Sequence, residues 1–213
     1  MIISHAHRFI YMFPPRTAST SVRTLLRRTL PPGQFQELKQ AVHARAKRVR
    51  QMFPYQWELY GKIAHIRHPY TRCISAFSHW LGLRANQGLR DKVRADSSPH
   101  LWAERYTSFL QRDNFAMLFE NKDKGFFFLD NAPIEVQLIR YEHLREDLQH
   151  MSRRYGLELD LENNLPWYAE HGAKTHQWTA RTLMNDNAKA LIDERYAWYF
   201  ERFGYKKEIE DAA

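Results

Sequence analysis

Arg16, Thr17, Ala18, Ser19, Thr20 and Ser21 place one guanidinium, one methyl and four hydroxyls side by side, with no glycine among them. Hydroxyls and a guanidinium are directed donors, and small side chains let a bound group approach the main chain. The set is therefore equipped to hold a phosphate or a sulfate. The ordinary alternative is a helix start at which Ser19 or Thr20 is simply the capping residue. A second pair of anion-binding type stands further on, Arg67 followed eight residues later by Ser75. Two such sites suit a ligand phosphorylated at both ends. Taken alone, Arg67 could equally pair with a surface carboxylate, and Ser75 could cap or pad a helix.

The elements that must position these residues are legible in the hydrophobic pattern. Phe9 to Phe13 reads as an apolar strand stopped by Pro14 and Pro15, and Val22, Leu25 and Leu26 then recur at the spacing of a buried helix face. Strand, tight turn and helix are the layout of a phosphate-binding loop. The G-x-x-x-x-G-K-[ST] pattern of ATP- and GTP-binding loops is absent, however. Lys62 to Ile66 reads as a second strand, and Pro69 then opens a helix over Tyr70 to Leu83 with Ile74, Phe77 and Leu81 inward and Cys73 beside them. In a parallel sheet the carboxyl ends of neighbouring strands share one crevice, which would bring Arg67 and Ser75 near the first loop.

Between these units, Gln34 to Phe53 is basic and helix-friendly, with Leu38, Val42 and Val49 on one stripe. Residues 84–99 form a polar excursion of the kind that serves as a lid or substrate loop, followed by a helix from about Leu101 to Gln111. Glu135 to Tyr141 reads as a third strand and Glu142 to Tyr155 as a helix ending at Gly156. A last helix is expected over Ala188 to Phe203, with Leu191, Ile192, Tyr196, Tyr199 and Phe203 inward. Alternating strands and helices imply an α/β fold with three α/β/α layers about a central parallel sheet.

At 213 residues the chain is expected to form a single domain, 1–213, with 84–113 as the excursion. A composition of 44% hydrophobic and 26% charged residues argues against disorder. The net charge of +8 points to an anionic partner without choosing among nucleotide, acidic polysaccharide, nucleic acid and membrane surface. Cys73 is the only cysteine, so no intrachain disulfide can form, and a reducing cytoplasm is the expected compartment. Neither a signal-peptide pattern nor an apolar run of membrane-spanning length occurs, so no membrane span is expected.

Together these segments resemble the sulfotransferases that use 3′-phosphoadenosine 5′-phosphosulfate (PAPS), particularly the group containing the heparan and chondroitin carbohydrate enzymes. Pro15-Arg16-Thr17-Ala18-Ser19-Thr20-Ser21 is similar to that family's 5′-phosphosulfate loop, usually P-K-T-A/G-x-T-S. Residues 64–77, AHIRHPYTRCISAF, are similar to its 3′-phosphate motif, F-V-R-x-P-x-x-R-x-x-S-x-Y. Ile139-Arg140-Tyr141-Glu142-His143-Leu144 resembles its R-x-E-x-L strand end, and Tyr196 through Tyr205 its closing aromatic helix. The four segments follow the family's order and span nearly the whole chain.

The resemblance implies a P-loop-NTPase-like sulfotransferase fold and transfer of a sulfuryl group from PAPS, as co-substrate, to an acceptor hydroxyl, with a carbohydrate or glycoconjugate as the expected acceptor. It implies that the backbone of residues 16–21, with the hydroxyls of Thr20 and Ser21, holds the 5′ phosphosulfate, and that Arg67 and Ser75 hold the 3′ phosphate. Arg16 stands where the family usually has lysine; as a permanent cation it would take over the catalytic charge. Val42-His43-Ala44-Arg45-Ala46 resembles the family's H-A-x-A-R-E-I segment, which makes His43 the expected general base, with Glu58 and His65 in reserve. No metal is expected and no nucleic acid; the basic stretch at Arg45 to Arg50 would suit an anionic glycan acceptor or the nucleotide itself. Lys174 and His176 would be loop residues, solvated or reaching the ligand, and Trp80, Trp102, Trp167 and Trp178 either core or a sugar platform. The competing readings are a P-loop-like ATP-dependent kinase and a non-catalytic basic anion- or nucleic-acid-binding module.

Overall fold

The structure, a computed structural model, describes residues 1–31, 33–82, 98–112, 123–165 and 180–208. Its contacts divide the chain into two compact units, residues 1–67 with 122–169, and residues 68–121 with 170–213. The first unit is built on a five-stranded sheet in the order β3-β1-β2-β4-β7: β1 Ile2–Ser4, β2 Phe9–Met12, β3 Phe35–Glu37, β4 Gly61–Ile66 and β7 Gln137–Arg140. The strands β2, β4 and β7 run parallel, with Met12 beside Ala64 and Ile66 beside Arg140. Both β1 pairings, to β2 and to β3, are antiparallel. The sheet is therefore mixed, not wholly parallel as the strand–helix alternation implies. A separate two-stranded hairpin joins β5 Phe128–Leu129 to β6 Ala132–Pro133.

Every residue of β2 is buried, as a strand covered on both faces must be. Phe9, Tyr11 and Phe13 share a core with Ile63, Ile139, the inner face of α1 (Ser19–Thr29) and that of α6 (Leu144–Tyr155). In α1, Val22, Leu25 and Leu26 are inward as their spacing requires, while Arg27 and Arg28 stand at the carboxyl end, where the helix dipole favours cations. Arg23 and Arg27 both bond Glu37 on the edge strand, tying α1 to β3. Burial alone would raise the Glu37 carboxyl, but its two guanidinium partners hold it below its ordinary range. At Gly61 the chain passes so close to Tyr155 that an added Cβ would lie 2.1 Å from the phenol oxygen, which is why a glycine opens β4.

Gln34 to Phe53 is not one helix. Its first residues make β3, a 3₁₀ turn follows at Lys39–Ala41, and the helix proper, α2, is Ala46–Met52, with α3 at Pro54–Leu59. Pairing with β1 offers Phe35–Glu37 a ladder that a helix would forfeit, and Leu38 extends the connection by donating its N–H to Met1. His43 therefore lies in the turn before α2.

In the second unit, α4 (Pro69–Gly82) buries Tyr70, Cys73, Phe77 and Leu81, while Ile74 is half-exposed, so the inward stripe is rotated from the expected one. Phe77, Trp80 and Phe109 form an aromatic cluster with α5 (Pro99–Leu110), and Trp102 meets Phe77 edge-on. Trp80 and Trp102 thus pack within this cluster while staying half-exposed. The chain ends in α7 (Ala180–Leu183), α8 (Asp186–Arg195) and α9 (Ala197–Phe203); the single helix expected over Ala188 to Phe203 is broken at Tyr196. Residues 83–97, and with them most of the polar excursion, as well as Trp167, Lys174, His176 and Trp178, lie outside the described residues.

Candidate anion-binding site

The loop after β2 achieves its tight turn without glycine by placing two L-residues in left-handed conformation, Arg16 at φ 64° and Ala18 at φ 63°. Each such residue costs about 1–2 kcal/mol, so the loop carries roughly 2–4 kcal/mol of local strain that its surroundings must hold in place. A positive φ on either side of Thr17 is the kind of alternation from which anion-binding nests of main-chain N–H groups are built. Thr17 is fully buried, and its hydroxyl donates to the Pro14 carbonyl at 2.7 Å, closing the turn internally.

The helix-cap alternative fails on this geometry. The capping residue of α1 is Ala18, with no side-chain cap bond, so neither Ser19 nor Thr20 acts as an ordinary cap. The first turn also carries no acidic residue. The N–H groups of an α-helix's first turn have no partner within the helix, and the capping residue Ala18 brings no side-chain acceptor to them. Thr20 is exposed, whereas Ser19 and Ser21 are buried at 8% and 6% exposure.

Two guanidiniums flank the loop's ligand side chemistry. Arg16 is partly buried and its proton is held less tightly than usual, first because burial penalises the charge and then because Arg67 repels it. Arg67 follows the carboxyl end of β4, and its guanidinium stacks over the Tyr141 ring, 3.8 Å from the centroid, at the end of the neighbouring strand β7. Two cations within each other's field create a local positive potential that a bound oxyanion would relieve. Ser75 sits on α4 in the second unit, half-exposed.

His43 is exposed, yet its ring is not loose. Nδ1 lies 2.6 Å from the carbonyl oxygen of Phe13, the residue that leads into the loop. A carbonyl only accepts, so Nδ1 carries a proton, and the neutral ring then has its lone pair on Nε2, the tautomer that a base requires. The two reserve bases are placed elsewhere. Glu58 is exposed on α3, paired with Arg50 at 3.7 Å. His65 is fully buried in β4, with Nε2 2.5 Å from the Tyr11 hydroxyl. Burial pushes its pKa down to about 3, against smaller opposing effects from the Thr17 backbone and Asp147. A neutral, solvent-free imidazole of this kind cannot collect a proton from an acceptor, and His65 is removed from the set of bases.

What the sequence left unassigned is Tyr141, the platform under Arg67. It stands inside the Arg140-Tyr141-Glu142 strand end, where only its position beside a strand terminus hinted at a role. Arg72, in the same segment as Arg67, is fully buried in the second unit.

A parallel strand leading through a glycine-free turn that carries Arg16 into a helix N-terminus, within an α/β fold, is an arrangement chemically suited to an oxyanion. The chain matches the family model described as "Sulfotransferase family" over residues 1–206, and it belongs to that family. The carbohydrate-acting group is consistent with that membership. No curated protein and no solved structure matches it.

Proposed function

We propose that the protein transfers the sulfuryl group of PAPS to an acceptor hydroxyl, with a carbohydrate or glycoconjugate as acceptor. The observation that carries this reading is the strained Arg16-Thr17-Ala18 turn beside two mutually repelling guanidiniums, in a chain of the sulfotransferase family. The residues present fit such a co-substrate: they supply main-chain N–H groups and fixed cations for a phosphosulfate. PAPS brings an activated sulfuryl group on a good leaving phosphate. Arg16 would stabilise the charge that gathers on the departing oxygen, which its permanent positive charge suits. The N–H groups at the head of α1, with Thr20 and Ser21, would hold the same end. Arg67, braced by Tyr141, would take the 3′ phosphate; for Ser75 the support is its place in the motif.

His43 would accept the acceptor hydroxyl's proton at Nε2 as the new S–O bond forms and the old one breaks, leaving adenosine 3′,5′-bisphosphate. The direct test is incubation with sulfur-labelled PAPS and a panel of glycans, phenols, peptides and lipids. Label should pass to a hydroxylated acceptor, and His43→Ala should lower turnover by roughly two to four orders of magnitude while bisphosphate binding persists. Tighter binding of ADP than of adenosine 3′,5′-bisphosphate by the unmodified protein would refute the reading.

A further inference from the structure

His65 is excluded as a base, but it occupies a telling place. It stands on β4 one residue past the Met12–Ala64 pairing, so its ring lies alongside Phe13, 6.2 Å between centroids, where the chain leaves β2 for the loop. The Tyr11 ring lies nearly parallel to it, 7° apart in plane, with its hydroxyl on Nε2. The other nitrogen, Nδ1, is buried and has no hydrogen-bond partner. The Thr17 backbone nonetheless favours the ring's protonated form, as a carbonyl near an imidazole N–H does. Thr17 is the residue between the two left-handed positions. A buried imidazole with one nitrogen bound and the other next to a strained turn is costly unless that second nitrogen is used.

We infer that His65 is a positioning residue for the 5′-anion loop: held by Tyr11 at Nε2, it reserves its unpartnered Nδ1–H for the Thr17 carbonyl, a bond made as the loop fills, and so fixes the turn whose N–H groups bind the ligand. This inference rests on the sulfotransferase reading for the identity of the ligand. It assigns His65 no contact with the ligand and no proton transfer. The strain of Arg16 and Ala18 gives the arrangement its purpose, since a turn that could relax would splay its donors.

The test compares competition by adenosine 5′-monophosphate and adenosine 3′-monophosphate against a labelled adenosine 3′,5′-bisphosphate probe. The proteins are the unmodified chain, His65→Phe, His65→Asn and Tyr11→Phe. His65→Phe should weaken the 5′-monophosphate about tenfold, the scale of one hydrogen bond, and leave the 3′-monophosphate within about twofold. His65→Asn, whose amide N–H stands in for Nδ1–H, should recover most of that loss. Tyr11→Phe, which keeps the packing, should show a smaller loss of the same selectivity and stands in if His65→Phe does not fold. Equal weakening of both monophosphates, or no rescue by asparagine, overturns the positioning role while the sulfotransferase reading stands. Failure of the unmodified chain to bind the bisphosphate probe overturns both.

Discussion

Acid should destabilise this protein well before its carboxylates protonate, and His65 should be the cause. In the unfolded chain a histidine takes up a proton near pH 6.5, whereas in the fold His65 resists it down to about 3. Its folded pKa is depressed, so between those values the unfolded state binds the extra proton. The stability tied to neutral His65 is thus complete above pH 6.5 and is lost progressively as the pH falls toward 3. At pH 5 the loss amounts to about 2 kcal/mol, since each pKa unit is worth about 1.4 kcal/mol. For a chain of this size that is a fall in Tm of about 4–8 °C. Glu37, bonded by Arg27 and Arg23, and Asp147, bonded by Arg140, are held below the ordinary carboxylate range, stay ionised between pH 8 and pH 5, and do not obscure the effect. The assay is thermal or urea unfolding at pH 8, 7, 6 and 5, for the unmodified protein and for His65→Phe. Contributions of the other histidines cancel in the comparison, and any constant cost of the substitution drops out of the slope. The variant should lose about 2 kcal/mol less between pH 8 and pH 5. An identical pH slope in the two proteins would show that His65 is not held neutral, and would refute the argument from burial.

Arg16→Ala should lower the turnover of labelled PAPS by roughly two orders of magnitude or more, while Arg16→Lys should retain most of it, because the charge and not the fork is required; near-normal turnover in the alanine variant would remove Arg16 from catalysis. Ala18→Gly relieves the left-handed strain at φ 63° and should leave the Tm unchanged or slightly raised in calorimetry, with the gain in ease of φ offset by the entropy of a glycine. Gly61→Ala should destabilise by about 1–3 kcal/mol in urea unfolding, because Tyr155 must move from its place against Phe9 and β4 to admit the methyl. Tyr141→Ala should weaken bisphosphate binding by about three- to tenfold in titration calorimetry by releasing Arg67 from its stack.

The centre of the parallel half was legible because β2 and the end of β4 are buried on both sides and announce themselves as apolar runs ended by proline or arginine, as Phe9–Phe13 and Lys62–Ile66 do. The antiparallel half was not. Ile2–Ser4 and Phe35–Glu37 are three residues each, too short for a period, and the second lies in a stretch whose lysines and arginines favour helix. Pairing across the sheet, a non-local effect, decided both. At the site, the types of Arg16, Arg67 and His43 pointed to an oxyanion and a base, but the hand of Arg16 and Ala18 could not be read from residues that rarely adopt it. The burial of His65 was hidden for the same reason: only the strand register shows that it faces Tyr11 and Phe13, not solvent.

Among the described residues, both margins of the sheet are short. The strand β3 offers three residues at one edge and β7 four at the other, and Glu37 on β3 is engaged by two arginines. A foreign strand joining either margin would gain only a few main-chain bonds, too few to offset the entropy of ordering it. Copies of this chain should therefore resist strand-to-strand aggregation at high concentration, and any self-association should run through side-chain surfaces.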